Sequence, residues 1–190
     1  MVQDPRLKQV FKPYAQKGGT CGGFSIAGGL RQIHQKDIPE SEVYRIYKAH
    51  DTDGRDGIRT VDLLNILKKE PIGGLKVKEW DTLYNTNNAK RRNKATLTKD
   101  IIDVLKTPGK ALIYGFKLCK GPRPIPLDRY VYRGNSDVSG DFHICHVQGL
   151  WKNLGIELTN SWGEHFGEKG SFHMRWVDVI ERADSVFVIQ

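Results

Sequence analysis

The sequence predicts an α+β protein with a mainly helical first half and a mainly β second half, arranged as two lobes. Apolar residues recur at helical spacing from Cys21 onward, and short extended runs follow one another from Ala111 to the end of the chain. Twenty glycines and eight prolines require many turns between these elements. A run of helices followed by a run of strands is typical of the α+β class.

The first half contains four predicted helices. The first spans about 21–35, and its apolar positions recur every three residues: Phe24, Ala27, Leu30 and Ile33. Further helices are predicted at 43–50 and 98–105. A helix between them is predicted to begin after an N-cap at Thr60 and to end at about residue 67. Gly28 and Gly29 each cost about 1 kcal/mol relative to alanine inside a helix. Their presence predicts that another backbone packs closely against the first helix.

The second half contains six predicted strands, separated by Gly, Pro, Asn and Asp. They are expected at 111–118, 129–133, 142–149, 155–159, 171–176 and 185–189. Three prolines in the segment 119–126 remove ladder donors, so this segment is excluded as a central strand.

The length of 190 residues fits a single domain, 1–190, in two lobes of about 1–105 and 106–190 that share a cleft. Hydrophobic residues make up 38% of the chain, which is enough to bury a core at this size. No apolar run approaches membrane-spanning length, so a membrane is not an expected partner. The N-terminal residues are polar and basic and do not resemble a signal peptide.

The net charge of +8 indicates a basic surface that can attract acidic partners. The most concentrated basic run, Lys-Arg-Arg-Asn-Lys at 90–94, is interpreted as a solvated loop. Nuclear import and nucleic-acid contact are the alternatives for this run, because short basic runs are common. Nucleic acid is not expected as the main partner.

The chain has three cysteines, Cys21, Cys119 and Cys145. An odd number this small does not fit a disulfide framework. This favours a reducing compartment, cytoplasmic or nuclear. A lysosomal, vacuolar or secreted location stays open if a precursor segment is removed. We interpret Cys145 as a core residue, since free cysteine usually packs as a small hydrophobe.

Cys21 is the candidate nucleophile because it follows a flexible Gly-Gly-Thr segment and begins the first predicted helix. The free N–H groups and the dipole at a helix N-terminus stabilise a thiolate. Thiol catalysis further needs an imidazole, a group that orients this imidazole, and donors for an oxyanion.

Two segments resemble papain-like cysteine proteases of the peptidase C1 type. Residues 19–25, Gly-Thr-Cys-Gly-Gly-Phe-Ser, resemble that family's nucleophile segment, and residues 160–163 reproduce its Asn-Ser-Trp-Gly motif. The separation between Cys21 and Asn160 falls within the roughly 130–150 residues expected for these enzymes. The resemblance implies a papain-like two-lobed fold with a β-barrel-like second lobe. It also implies a cysteine-type endopeptidase that works through a Cys-His-Asn triad and a thioester acyl-enzyme.

The resemblance implies that Asn160 orients the catalytic histidine and that Trp162 shields the bond between them. Residues 142–149, Phe-His-Ile-Cys-His-Val-Gln-Gly, offer two histidines. The distance from His143 to Gly149 matches the family's motif, and the distance from His146 does not. Residues 143 and 146 face opposite sides of a strand, so only one can reach Cys21. We take His143 as the base, with His146 as the alternative.

The resemblance also assigns the oxyanion site and substrate contacts. Gln16 and the Cys21 backbone N–H are the expected oxyanion donors, although Gln16 is one residue closer to the cysteine than in the family. Gly57 and Ile58 resemble the stretch beside the second specificity pocket, which would then accept an apolar side chain. A surface glutamine and a plain turn before a helix are the alternatives. Phe142 and Trp162 are the further expected substrate contacts.

Some departures keep a second hypothesis open. Gly22 stands where the family has tryptophan, and neither its disulfides nor its inhibitory propeptide is found. The alternative is a catalytically impaired papain-like binding protein that holds a protein partner in its cleft or on its basic surface.

The expected partners are a peptide or protein substrate and a protein inhibitor of the cystatin type, and the chain is expected to be a monomer. No cofactor or metal is expected. The segment 51–62 departs from a calcium-binding loop at three positions, and the cysteines and histidines lack metal-site spacing.

Overall fold

The computed structural model describes residues 11–51, 57–88, 93–122, 124–134 and 137–190. Most of the basic run at 90–94 and of the segment 51–56 lies outside these residues. Five helices occur in them: α1 (Cys21–His34), α2 (Glu40–His50), α3 (Thr60–Lys69), α4 (Leu97–Lys106) and α5 (Trp176–Arg182). Eight strands complete the order: β1 (Trp80–Asn85), β2 (Ala111–Cys119), β3 (Leu127–Asp128), β4 (Val131–Tyr132), β5 (Val138–Trp151), β6 (Gly155–Thr159), β7 (Ser171–Arg175) and β8 (Ala183–Ile189). The mixed α+β class is confirmed.

The strands form one sheet in the order β1-β8-β2-β5-β6-β7-β4-β3. Neighbouring strands are antiparallel, except that β4 and β7 pair in parallel at Val131 and His173. Across the part of the chain that the structure describes, the edge strands β1 and β3 do not pair with each other. The sheet is therefore open, and the barrel-like closure expected for the second lobe is not confirmed.

Helix α1 lies between the other helices and the sheet, packing against α2 and α3 on one side and β5 and β2 on the other. A Cβ at Gly29 would come within 2.8 Å of the Ile189 side chain, and one at Gly28 within 3.2 Å of the His146 side chain. The two glycines are needed for close packing, as predicted. The expected partner was wrong, because side chains of the sheet approach these glycines rather than another backbone.

Two buried apolar clusters stabilise the two sides of the molecule. One lies under α1, α2 and α3 and includes Phe24, Leu30, Ile46, Leu64 and Ile189. The other lies on the opposite side of the sheet and includes Tyr114, Phe116, Leu158, Phe172 and Met174. Alternation along β2 sends Ile113 into the first cluster and Tyr114 into the second, as a strand covered on both faces requires. The boundary near residue 105 stays a prediction.

The main local difference from the sequence-based prediction is α5. The extended run expected to reach Trp176 ends at Arg175, and Trp176 begins a helix of seven residues. Strand β4 is shorter than the predicted 129–133, because Arg129 and Tyr130 adopt left-handed φ angles of 46° and 67° that turn the chain. Thr60 is the first residue of α3 and not its N-cap.

Within the described residues, no helix combines the length and the apolar composition needed to cross a membrane.

Candidate active site

Cys21 is the first residue of α1 and is partly exposed. The N-cap residue, Thr20, does not cap this helix end with its side chain, because its hydroxyl donates to the Lys17 carbonyl at 3.0 Å. Burial is the main influence on the thiol and raises the pKa of Cys21. Backbone hydrogen bonds from Ile144, Gly22 and Cys21 itself oppose this effect, because N–H groups stabilise the thiolate.

The backbone of Ile144, the residue that follows His143, interacts with the Cys21 sulfur, which places Cys21 against β5. The Ser25 hydroxyl, one turn further along α1, donates to the Ile144 carbonyl at 2.7 Å. These contacts fix the start of α1 on the strand that carries His143.

The imidazole of His143 lies 2.7 Å from Asn160, measured between Nε2 and Oδ1. The backbone N–H of Ser161 donates to the same Oδ1 at 2.7 Å, so this atom is an acceptor and the amide orientation is defined. His143 must therefore donate from Nε2–H, which leaves Nδ1 with a free lone pair when the ring is neutral. Nδ1 is then the atom that can accept a thiol proton.

Aromatic rings enclose His143, which is 3% exposed. The Trp162 ring centroid lies 4.7 Å from the imidazole centroid, and the Phe116 ring meets the imidazole edge to face at 5.9 Å. Phe166 in turn supports Trp162 at 5.1 Å. Burial lowers the pKa of His143 to about 4, against an opposing effect of the Asn160 bond.

The burial of Cys21 and of His143 bears on the expected charge state of the pair. Burial raises the pKa of the thiol and lowers that of the imidazole, so each effect favours the neutral form. The stabilisation of a thiolate expected at a helix N-terminus would instead favour a thiolate–imidazolium pair in the resting protein. Such a pair requires the attraction between the two charges to exceed both desolvation costs.

Gln16 lies beside the segment that carries Asn160. Its backbone N–H donates to the Ser161 carbonyl at 2.6 Å, and its side-chain oxygen accepts from the Ser161 hydroxyl. Its Nε2 donates one hydrogen to the Gly18 carbonyl at 2.9 Å, which leaves one Nε2 hydrogen for a ligand. Ser161 was present in the recognised motif, yet its role in holding Gln16 was missed, because a contact so distant in sequence has no local signal.

The predicted substrate contacts lie on both sides of Cys21. A Cβ at Gly57, where φ is 128°, would lie 2.5 Å from the Gly19 carbonyl oxygen, so only glycine lets this segment pack against the nucleophile loop. Ile58 is half-buried against the helical cluster. Phe142, next to His143, is 50% exposed, and Trp162 is 36% exposed. These exposed rings are available to a ligand on the histidine side.

His146 is not brought to Asn160. Its Nε2 lies 2.5 Å from Gln32 Oε1 on α1, and its ring covers Gly28. Burial lowers the pKa of His146 to about 3. This histidine joins α1 to the sheet.

A cavity of about 430 Å³ lies between α1, the segment 11–14 and the polar face of β5, β6 and β7. It borders Asn160 and Ser161, but its lining includes neither Cys21 nor His143. The lining of this cavity therefore contains neither the candidate nucleophile nor the candidate base.

Sequence comparison finds no match to a protein-family model and none among curated proteins. Solved structures do match. Xylellain, a cysteine protease from Xylella fastidiosa, has a TM-score of 0.61 at 20% identity, over 97% of this chain and 84% of that chain. The Carica candamarcensis cysteine protease CMS1MS2, solved in complex with E-64, has a TM-score of 0.64 at 15% identity, over 95% and 93%.

A third match is the cysteine protease Amb a 11 of ragweed pollen in its proform. Its TM-score is 0.64 at 18% identity, over 94% of this chain and 62% of that chain. Matches at this identity concern the fold. The chain has the papain-like fold that its two motifs predicted.

Proposed function

We propose that this protein is a cysteine-type endopeptidase with Cys21 as nucleophile, His143 as general base and acid, and Asn160 as the residue that orients the imidazole. The supporting observation is the 2.7 Å bond between His143 Nε2 and Asn160 Oδ1. The strand that carries His143 also contacts the Cys21 sulfur, through the backbone of Ile144. The likeness of the fold to cysteine proteases supports hydrolysis as the reaction class. The triad itself is our proposal.

Acylation begins when Cys21 Sγ attacks the carbonyl carbon of the scissile peptide bond. His143 Nδ1 takes the thiol proton, and the Asn160 bond stabilises the imidazolium that forms. The carbonyl oxygen becomes an oxyanion and accepts hydrogen bonds from the Cys21 N–H and the remaining Nε2 hydrogen of Gln16. When the intermediate collapses, the C–N bond breaks and His143 protonates the leaving amine, which leaves a thioester on Cys21.

Deacylation uses the same groups with water. His143, again neutral, takes a proton from water, and the hydroxide attacks the thioester carbon. The C–S bond breaks, the peptide leaves as a carboxylic acid, and the proton on His143 passes to the Cys21 sulfur, which regenerates the thiol and the neutral imidazole. Desolvation favours this cycle in one respect, because a pKa of about 4 keeps His143 neutral and able to accept a proton at neutral pH.

The substrate is proposed to be a peptide or protein, with an apolar side chain at the subsite beside Ile58. Phe142 and Trp162 would contact the residues after the scissile bond. A cystatin-type inhibitor would bind the same cleft of a monomer.

The test is titration with a peptidyl epoxide of the E-64 class, read by intact mass and peptide mapping. We expect one label per chain on Cys21, no label in Cys21→Ala, and unchanged labelling in Cys119→Ala, whose thiol is buried against Tyr132. Cys21→Ala should also abolish peptide hydrolysis. Slow labelling spread over the three cysteines would favour the binding-protein hypothesis instead.

A further inference from the structure

The first turn of α1 has an unusual hydrogen-bond arrangement. The N–H groups of the first three helical residues, Cys21, Gly22 and Gly23, cannot bond within the helix. A side chain at the N-cap normally accepts from the second or third of them. Thr20 does not, because its hydroxyl donates to Lys17, although its carbonyl accepts from Phe24 N–H at 3.2 Å. A different group must therefore satisfy the buried donors.

Tyr47, on α2, supplies the acceptor for one of them. Its phenolic oxygen lies 3.1 Å from the Gly23 nitrogen, and the ring is buried. The hydroxyl accepts the hydrogen bond, since the N–H can only donate. A residue from a neighbouring helix thus caps the third position of the helix that begins with the candidate nucleophile.

The two glycines after Cys21 fit this tyrosine. A Cβ at Gly23 would lie 2.6 Å from Tyr47 Cε2 and 2.9 Å from Val43 Cγ1, so a side chain there would displace the ring. A Cβ at Gly22 would lie 3.6 Å from both the Tyr47 hydroxyl and Thr60 Oγ1, and a large side chain would run into them. Glycine at position 22, where papain-like enzymes have tryptophan, therefore leaves room for Tyr47.

We propose that Tyr47 is a positioning residue for the nucleophile. Its phenolic oxygen caps Gly23 N–H, which leaves the Cys21 and Gly22 N–H groups free to interact with the sulfur and the oxyanion. The proposal rests on the proposed function of Cys21. The cap stays neutral, because burial is the main cause that raises the pKa of Tyr47, and the nearby Cys21 and Asp51 raise it further. Tyr47 therefore acts by accepting a hydrogen bond and not by titrating.

The test is the pH profile of iodoacetamide alkylation at Cys21, followed by peptide mapping in Tyr47→Phe. Without the oxygen, Gly23 N–H keeps its full positive end near the sulfur, so we expect the thiol pKa to fall by about half a unit. The first turn also loses its tie to α2, so kcat/KM should fall about tenfold. A purely structural role would lower the unfolding temperature without moving the pKa.

The matched control is Tyr114→Phe. It removes another buried hydroxyl, which donates to the Val179 carbonyl at 2.7 Å in the other cluster, and should leave the Cys21 pKa at the wild-type value. Should Tyr47→Phe not fold, Tyr47→Met removes the same oxygen and should shift the pKa in the same direction. An unchanged or raised pKa in the folded variant overturns the positioning role. Failure of the proposed function is a separate outcome, in which wild-type Cys21 reacts no faster than Cys119.

Discussion

Strand β5 carries two histidines whose surroundings look alike and whose partners differ. His143 and His146 are 3% and 5% exposed, and burial lowers both pKa values, to about 4 and about 3. His143 donates to Asn160, whose oxygen is oriented by a second donor. His146 bonds to Gln32 across the packing of α1 on the sheet.

This contrast shows that burial and a shifted pKa do not identify a catalytic base. Both properties follow from placing an imidazole in a packed strand, and both histidines have them. The distinguishing property of His143 is an oriented acceptor on one ring nitrogen, next to the residue, Ile144, whose backbone contacts the Cys21 sulfur. The predictions below separate these two roles on the same strand.

The largest difference is expected between His143→Gln and His146→Gln. Loss of the proposed base and acid should lower kcat/KM by at least about 10³-fold in the first variant. Glutamine at position 146 can still donate to Gln32, so the second variant should stay within a few-fold of wild type. Steady-state hydrolysis of one fluorogenic peptide, with active sites counted by epoxide titration, measures both. The reverse order of the two losses would make His146 the base.

Asn160→Ala should have the next largest effect. It removes the acceptor of His143 Nε2–H, so the imidazole can rotate, and kcat/KM should fall about 10²-fold. Gln32→Ala is the control, because it removes the partner of His146 in the same way. Equal losses in the two variants would mean that Asn160 only supports the packing of β5.

Trp162→Ala should have a smaller effect on the rate and a clear effect on its pH dependence. Burial is the main cause of the low pKa of His143, so removing the ring that covers it should move this pKa up toward the ordinary value. The acid limb of kcat/KM should shift to higher pH, and the maximal rate should fall about tenfold. Trp151→Ala, which removes a ring stacked on His173 at 4.7 Å, should leave the acid limb in place.

Local signals in the sequence were sufficient for much of the fold, whereas the residues of the candidate triad came from the family resemblance and stay predictions. The helix that begins at Cys21 and strand β6 follow directly from apolar periodicity, and Asn160 stands in a contiguous motif. Helix α5 has seven residues, too few for a period of 3.6 to be recognised. The open edge of the sheet depends on strand pairing, which single-strand patterns do not encode.

The parts of the site that were missed are contacts between residues distant in sequence. Ser161 holds Gln16, Tyr47 caps Gly23, and Gln32 binds His146. Two of these contacts join polar side chains, and in the other the Tyr47 hydroxyl accepts from the Gly23 backbone N–H. The packing of α1 against α2 and β5 creates the last two contacts, and the pairing of the segment before α1 with the segment after β6 creates the first, so no pattern within one element could predict them.

The smallest expected effect is that of the two histidines on the stability of the protein as the pH falls. Both folded pKa values lie below the unfolded value of about 6.5, so between pH 6.5 and about 4 the unfolded chain binds protons that the native protein does not. The free energy of unfolding should therefore decrease as pH falls through this window, by up to about 1.4 kcal/mol per pH unit for each histidine. Urea unfolding at about pH 6.5, 5.5 and 4.5, in roughly one-unit steps across that window, measures this dependence. The slope of the unfolding free energy against pH should be shallower in His146→Gln than in the wild type, and reduced by the same amount in His143→Gln. Because other titrating groups are common to all three proteins, an unchanged slope in His146→Gln would mean that this histidine is protonated in the native state.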